Sequence, residues 1–303
     1  MGSRGMIVLF AVSIAACACG GGGGNAPSMP AASNDYSALG NPELVTIIGY
    51  NGDAMEPFVS RDGIYLFFNN NGANKDIFYG AFVNATTIQF QGPITNINTA
   101  AVEGTPTTDV ASRFFYVTTA NYNPPTTYDT LYSGTWNGSS VTGAAAVSGL
   151  AMTTPGLVNF DIEVSADGAT LYFADGDFSG GNAFPDAADI AMAISSGGNF
   201  IRDPTSGVIL ANVNTTAGLE YAPAISADGR ELFFTRLNLS AMQARIYRST
   251  RTSSTATFAT PQLVSAISGF VEGPALSPDE KSLYYHRESA ANGRFEIYRV
   301  TRP

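Results

Sequence analysis

The sequence predicts an all-β domain, a five-bladed β-propeller built from four-stranded blades. Three observations carry this reading. A Ser/Asp turn followed by an aromatic strand recurs five times, with turns at Asp62-Gly63, Ala111-Ser112, Asp167-Gly168, Asp228-Gly229 and Asp279-Glu280. The intervals between turns are 49, 56, 61 and 51 residues, near the length of one propeller blade. The last repeat ends at Arg302-Pro303 without a fourth strand, and a copy of a fourth strand stands near the other end of the domain.

Within each repeat, the first strand precedes the turn, at Phe58-Val59, Thr107-Thr108, Ile162–Val164, Ala224-Ile225 and Ala275-Leu276. The second strand is aromatic: Tyr65–Phe68, Phe114–Val117, Leu171–Phe173, Leu232–Phe234 and Leu283–Tyr285. Runs of β-branched and aromatic residues bounded by Asp, Gly and Asn are the chemistry of stacked hairpins. Third strands follow at Asp76–Tyr79, Asp129–Tyr132, Asp189–Met192, Arg245–Tyr247 and Glu296–Tyr298. Fourth strands are predicted at Pro93–Ile97, Ala145–Val147, Val208–Leu210 and Pro261–Val264. The segment Pro42–Ile47 copies the last of these and is predicted to complete blade five, closing the ring and removing a sheet edge. Six blades are the alternative, if the loop-rich stretch 134–159 hides further strands.

The repeats resemble the WD-like propeller repeats of the TolB family of bacterial envelope proteins. The likeness lies in Ser226–Phe234, Ser277–Tyr285, Ser165–Phe173 and Asp76–Tyr79, and is weakest in repeat two. It implies propeller blades in an envelope protein. TolB has an additional N-terminal domain without a counterpart here, so its partner contacts are not carried over.

The N-terminal residues read as an export signal. Arg4 supplies a positive start, Met6–Ala16 is an apolar run, and small residues lead into Cys17. The run is too short to span a bilayer. Ile14–Cys17 resembles the lipobox of bacterial lipoproteins, which implies cleavage before a lipid-carrying Cys17; Cys19 fits that pattern less well, and an ordinary secretory signal is the other reading. The expected organisation is a signal peptide (1–16), a lipidated Cys with a Gly/Pro/Ser-rich tether (17–39) and the propeller (40–303). Ala18, rather than Asp, follows Cys17, which favours the outer membrane of a Gram-negative envelope, with membrane attachment through the lipid alone.

Both cysteines sit at the signal boundary, so the domain is expected to hold no disulfide, cysteine-ligated zinc or catalytic thiol. A net charge of −10 argues against nucleic acid as a partner. The charge is uneven: before residue 230 there are 19 acids and 5 bases, from Arg230 onward 6 acids and 10 bases.

An acid approaches the first strand in every repeat: Glu56, Glu103, Asp161, Glu220 and Glu272. First strands line a propeller's channel, so five carboxylates are expected to ring one mouth of it. Such a ring attracts a cation, a cationic side chain or a sugar's hydroxyls; equally, each acid can satisfy backbone amides of a neighbouring blade. Five blades also resemble arabinanase- and fructosidase-type glycosidases in architecture alone, which would give Glu56, Asp161 and Glu220 acid and base roles. In repeat three, Asp175, Asp177, Ser179 and Asp186 follow the spacing of a calcium loop. Position 12 is Asp rather than Glu, Pro185 stiffens the exit, and turn geometry alone also explains these residues. His286, the sole histidine, reads as a surface or hairpin residue. Trp136 and the Tyr122–Tyr128 insertion read as loop aromatics, for sugar or for packing.

The expectation that follows is a monomeric, lipid-anchored propeller without a required cofactor, calcium being the one candidate. It is expected to bind an envelope protein or glycan through a channel mouth and loops. A glycan hydrolase and an inert spacer are the alternatives.

Overall fold

The computed structural model describes residues 35–182 and 184–302; the expected signal peptide, Cys17 and Cys19 lie outside them. Five blades stand around one axis. Blade one comprises β3 (Met55–Val59), β4 (Tyr65–Asn69), β5 (Ile77–Asn84) and β6 (Thr87–Pro93), preceded in the chain by β1 (Glu43–Leu44) and β2 (Thr46–Ile48). Blade two is β7 (Glu103–Thr108), β8 (Arg113–Thr118), β9 (Leu131–Trp136) and β10 (Val141–Ala146). Blade three holds β11 (Leu157–Val164), β12 (Thr170–Asp177), β13 (Ala187–Ser196) and β14 (Asn199–Arg202), followed by one helical turn, α1 (Ser206–Ile209). Blade four runs β15 (Leu219–Ile225), β16 (Glu231–Asn238), β17 (Gln243–Thr250), β18 (Gln262–Leu263). Blade five has β19 (Val271–Leu276), β20 (Ser282–Glu288), β21 (Phe295–Thr301) and, as its outer strand, β1.

The closure predicted from Pro42–Ile47 is therefore present, but the segment divides. Glu43 and Leu44 pair antiparallel with Arg299 and Tyr298 of β21, whereas Thr46–Ile48 turns aside to run parallel to β6 of blade one. Upstream, the Tyr36 amide donates to the Leu263 carbonyl of blade four, and the Gly40 amide to Thr301 of blade five. One strap of chain thus joins three blades, with its own Val45 buried.

Two fourth strands lie elsewhere than predicted. In blade one, Asn84 Oδ1 accepts the Thr86 amide and turns the chain early, so β6 is Thr87–Pro93. Ile94 and Ile97 still enter the core, from a loop. In blade three, Asp203 Oδ1 accepts the Thr205 amide and starts α1, so Val208 is 67% exposed on a helix and the outer strand is Asn199–Arg202.

The repeated turns explain the repeated sequence. Ser60 Oγ donates to Asp62 and accepts the Tyr65 amide, and Ser165, Ser226 and Ser277 do the same in their blades. In repeat two Asp109 replaces the serine, accepting the amides of Ala111 and Arg113. The aromatic second strands interleave between blades: Phe67 meets Phe114 edge-on at 5.3 Å and Trp136 at 5.0 Å. Trp136 is a core residue between blades one and two, not an exposed platform.

Candidate functional site

Each inner strand breaks its ladder at one place. The register slips after Met55, Gly104, Phe160, Tyr221 and Glu272. There the chain takes a positive φ, at Glu56 (50°), Thr105 (49°), Asp161 (50°), Ala222 (49°) and Gly273 (62°). Pro57, Pro106, Ile162, Pro223 and Pro274 follow and form a collar lower on the axis. Four of the five bulge residues are not glycine, in a conformation that costs roughly 1–3 kcal/mol each. Such strain concentrates where a protein holds side chains for use.

The bulge separates the five acids that look equivalent in sequence. Glu56 and Asp161 occupy the bulge itself, Glu272 precedes it by one residue, and Glu103 and Glu220 precede it by two. Glu56, Asp161 and Glu272 converge on the axis. Glu103 instead accepts from the hydroxyls of Thr99 and Thr118. Glu220 is paired with Arg236 at 2.6 Å and accepts from Thr215. Burial pushes its carboxyl up to about 7, against the pull of Arg236 and Thr215. The expected five-acid ring is thus three axial carboxylates, with two others tied into the blades.

The axial three share few partners. Glu56 Oε1 accepts from Lys75 Nζ at 3.1 Å, the lysine being 3% exposed. Glu56 Oε2 is buried and has no hydrogen-bond partner among the described residues. Glu272 accepts from the Tyr221 hydroxyl and lies 3.3 Å from His286 Nε2. His286 Nδ1 accepts the Glu56 amide at 3.0 Å. That bond places the imidazole proton on Nε2, facing Glu272. His286, 1% exposed, is therefore an axial residue rather than a surface one. Burial raises the Asp161 carboxyl well above the usual range; Glu56 adds to this, Lys75 opposes it, and Glu272 adds again. Among the described residues the cavity acids are thus Glu56 and Glu272, with Asp161 held toward its protonated form, and Glu56 is paired with the Lys75 ammonium.

Past the turn end of β3, Arg61 reaches two other blades. Its Nη2 donates to Glu163 and to the Val164 carbonyl, and its Nε to the Thr108 carbonyl, joining blades one, two and three. Three cavities of about 10, 20 and 30 Å³ lie along this axis. Each suits one or a few waters, against about 300–1,000 Å³ for a pocket that encloses a drug-sized ligand.

Sequence reasoning missed Lys75, Tyr221, His286, Arg61 and Glu163. Lys75, Tyr221, His286 and Arg61 each come from a different strand or turn than the acid they bond, so no local spacing marks them. Glu163 lies two residues after Asp161 on β11 and is marked by its partner Arg61 from blade one. The three acids of the calcium-loop pattern hold bonds within the chain. Asp175 pairs with Arg202 at 2.7 Å and accepts from Asn159, Asp177 accepts the Ser179 amide, and Asp186 accepts from Asn182. Among the described residues, no three His, Cys, Asp or Glu side chains are grouped to hold a metal ion. Tyr122 of the aromatic insertion is half-buried, its hydroxyl accepting the Gly156 amide.

No protein-family model matches the chain, and no curated protein matches it in sequence. Solved structures do match in shape. A family 117 glycoside hydrolase of the marine bacterium Zobellia galactanivorans is 12% identical, with a TM-score of 0.56 over 87% of this chain and 90% of that one. A thermostable family-43 glycoside hydrolase is 11% identical, with a TM-score of 0.55 over 87% and 92%. A TolB-type protein of Agrobacterium tumefaciens is 13% identical, with a TM-score of 0.48 over 82% and 83%. At these identities the likeness is one of fold.

Proposed function

We propose that the chain is an exported envelope binding module, anchored through a lipid on Cys17 in the outer membrane, whose axial mouth receives a cationic group of a partner protein. The observation that carries this reading is Glu56 itself: Oε1 accepts from Lys75, Oε2 is buried with no donor among the described residues, and Glu272 is a second carboxylate in the same cavity. A buried carboxylate oxygen without a donor favours an incoming N–H. The cavities are too narrow to enclose a sugar ring but suit the tip of one lysine or arginine side chain. Crosslinking and affinity recovery from intact envelopes test it, comparing the native chain with Glu56→Gln. One protein recovered in near-equal amount by the native chain and lost with Glu56→Gln supports the reading. Equal recovery by both sinks it.

One observation favours hydrolysis as a second reading. Burial beside two other carboxylates keeps Asp161 protonated well above the usual range, as a general acid requires. Glu220, committed to Arg236, drops out of that reading, and Glu56 and Glu272 remain as base or nucleophile. Release of reducing sugar from envelope or plant polysaccharides, abolished by Asp161→Asn, distinguishes it. A protein partner with no sugar release leaves the binding reading.

A further inference from the structure

The last two blades carry the same arginine at the same place, and only one copy is neutralised. Arg251 and Arg302 each follow the third strand of their blade, and each donates its backbone amide to the residue after the Ser/Asp turn, Arg230 and Lys281 respectively. Each also donates Nε to a carbonyl of its own blade's turn, Gly229 and Glu280. Beyond that point they differ. Arg302 reaches back to blade four and forms two bonds with Glu231, at 3.1 and 2.8 Å. Arg251 reaches back to blade three and finds the Tyr172 hydroxyl at 2.9 Å. The position of Glu231, five residues after its turn serine, is held in blade three by Thr170, a neutral residue.

Arg251 is accordingly a guanidinium 8% exposed with no carboxylate partner among the described residues, and its Nη1 has no hydrogen bond there. Phe258 covers its face at 4.4 Å. A buried charge without a counter-ion is costly, so its persistence points to a missing anion. It borders a cleft of about 230 Å³ on the turn face, where Arg230 and Arg248 stand beside it. The acids there are committed. Asp228 is held by Ser226 and Arg230, Glu280 accepts the Ala227 amide, and Glu231 is shared between Arg248 and Arg302. Four guanidinium groups face three carboxylates in a chain whose net charge is −10.

We infer that this cleft is an oxyanion site, taking a phosphate- or sulfate-type group against Arg251, Arg230 and Arg248. Arginines from a turn and from the end of β17 donate from more than one direction, which suits a tetrahedral anion better than a flat carboxylate. The site lies on the turn face, apart from the axial carboxylates, and does not depend on what they bind.

Thermal unfolding in inorganic phosphate, with chloride at matched ionic strength as control, tests the inference. A saturable rise in Tm specific to phosphate is expected. Arg230→Gln, an exposed change, should weaken the apparent phosphate affinity about tenfold. Thr170→Glu supplies to Arg251 the carboxylate that Glu231 supplies to Arg302, so it should raise Tm without phosphate and abolish the phosphate response. Sedimentation with phosphatidylglycerol vesicles, using the chain without its lipid, separates sources: co-sedimentation lost in Arg230→Gln assigns a lipid headgroup, and none assigns a free anion. No phosphate-specific shift, or a shift unchanged in both variants, overturns the site.

Discussion

The amide of Glu56 donates to His286 Nδ1 at 3.0 Å, binding the inner strand of blade one to the second strand of blade five across 230 residues of chain. The same ring nitrogen pair carries the link on to Glu272. Closure of the propeller at its axis is thus made by the residues that form the candidate site.

His286→Phe keeps the ring's bulk but leaves the Glu56 amide without an acceptor and removes one of Glu272's two donors. It should lower stability by about 2–4 kcal/mol, the cost of two broken buried hydrogen bonds. Urea unfolding reads this directly, and a variant as stable as the native chain would show that the link contributes nothing.

Asp161 predicts a pH dependence. Its carboxyl is raised by burial first and by Glu56 next, so the folded chain keeps a proton that the unfolded chain releases near the ordinary carboxylate value. Stability then falls as pH rises from that value toward the raised one. Asp161→Asn, which imitates the protonated acid, should stabilise the fold at neutral pH by about 1–3 kcal/mol, the scale of an unmet buried polar group. Below about pH 4 the gain should vanish. An identical difference at both pH values would contradict the assignment.

Arg236 and Glu220 are 3% and 0% exposed and 2.6 Å apart. Arg236→Met strands a buried carboxylate and should cost about 3–5 kcal/mol. Adding Glu220→Gln should restore a large part of that loss. A double variant no better than the single one would mean that packing of the arginine, rather than charge pairing, holds this part of blade four.

Val45 lies in the strap between β1 and β2 and is 4% exposed. Val45→Asp should destabilise the domain by about 2–4 kcal/mol although it sits in only a few residues of irregular chain. Unchanged thermal unfolding of this variant would show that the strap is dispensable.

The blades were legible because each repeat writes its turn and aromatic strand in neighbouring residues, as Ser226–Phe234 does. Ring closure was legible because Pro42–Ile47 copies Pro261–Val264. The outer strands were less so, since Asn84 and Asp203 redirect the chain through single side-chain bonds that no hydrophobic period reveals. The site was half legible. Glu56 and Asp161 announce themselves by their place before the first strand, but a bulge offset of one or two residues decides whether such an acid faces the axis or the blade. Lys75, Tyr221 and His286 reach the axis only through tertiary placement. Their partners are remote in sequence, and no spacing encodes them.

The strap also sets an order in time. Glu43 and Arg299 pair across 256 residues, so during translation the strand that seals the last blade is among the first parts of the domain to emerge. Its partner on β21 is among the last. Until then the adjoining β2 has β6 of blade one as its neighbour, but β1 has no blade five to complete, and the nascent ring stands open with an unpaired edge. Completion of this domain waits on its final dozen residues.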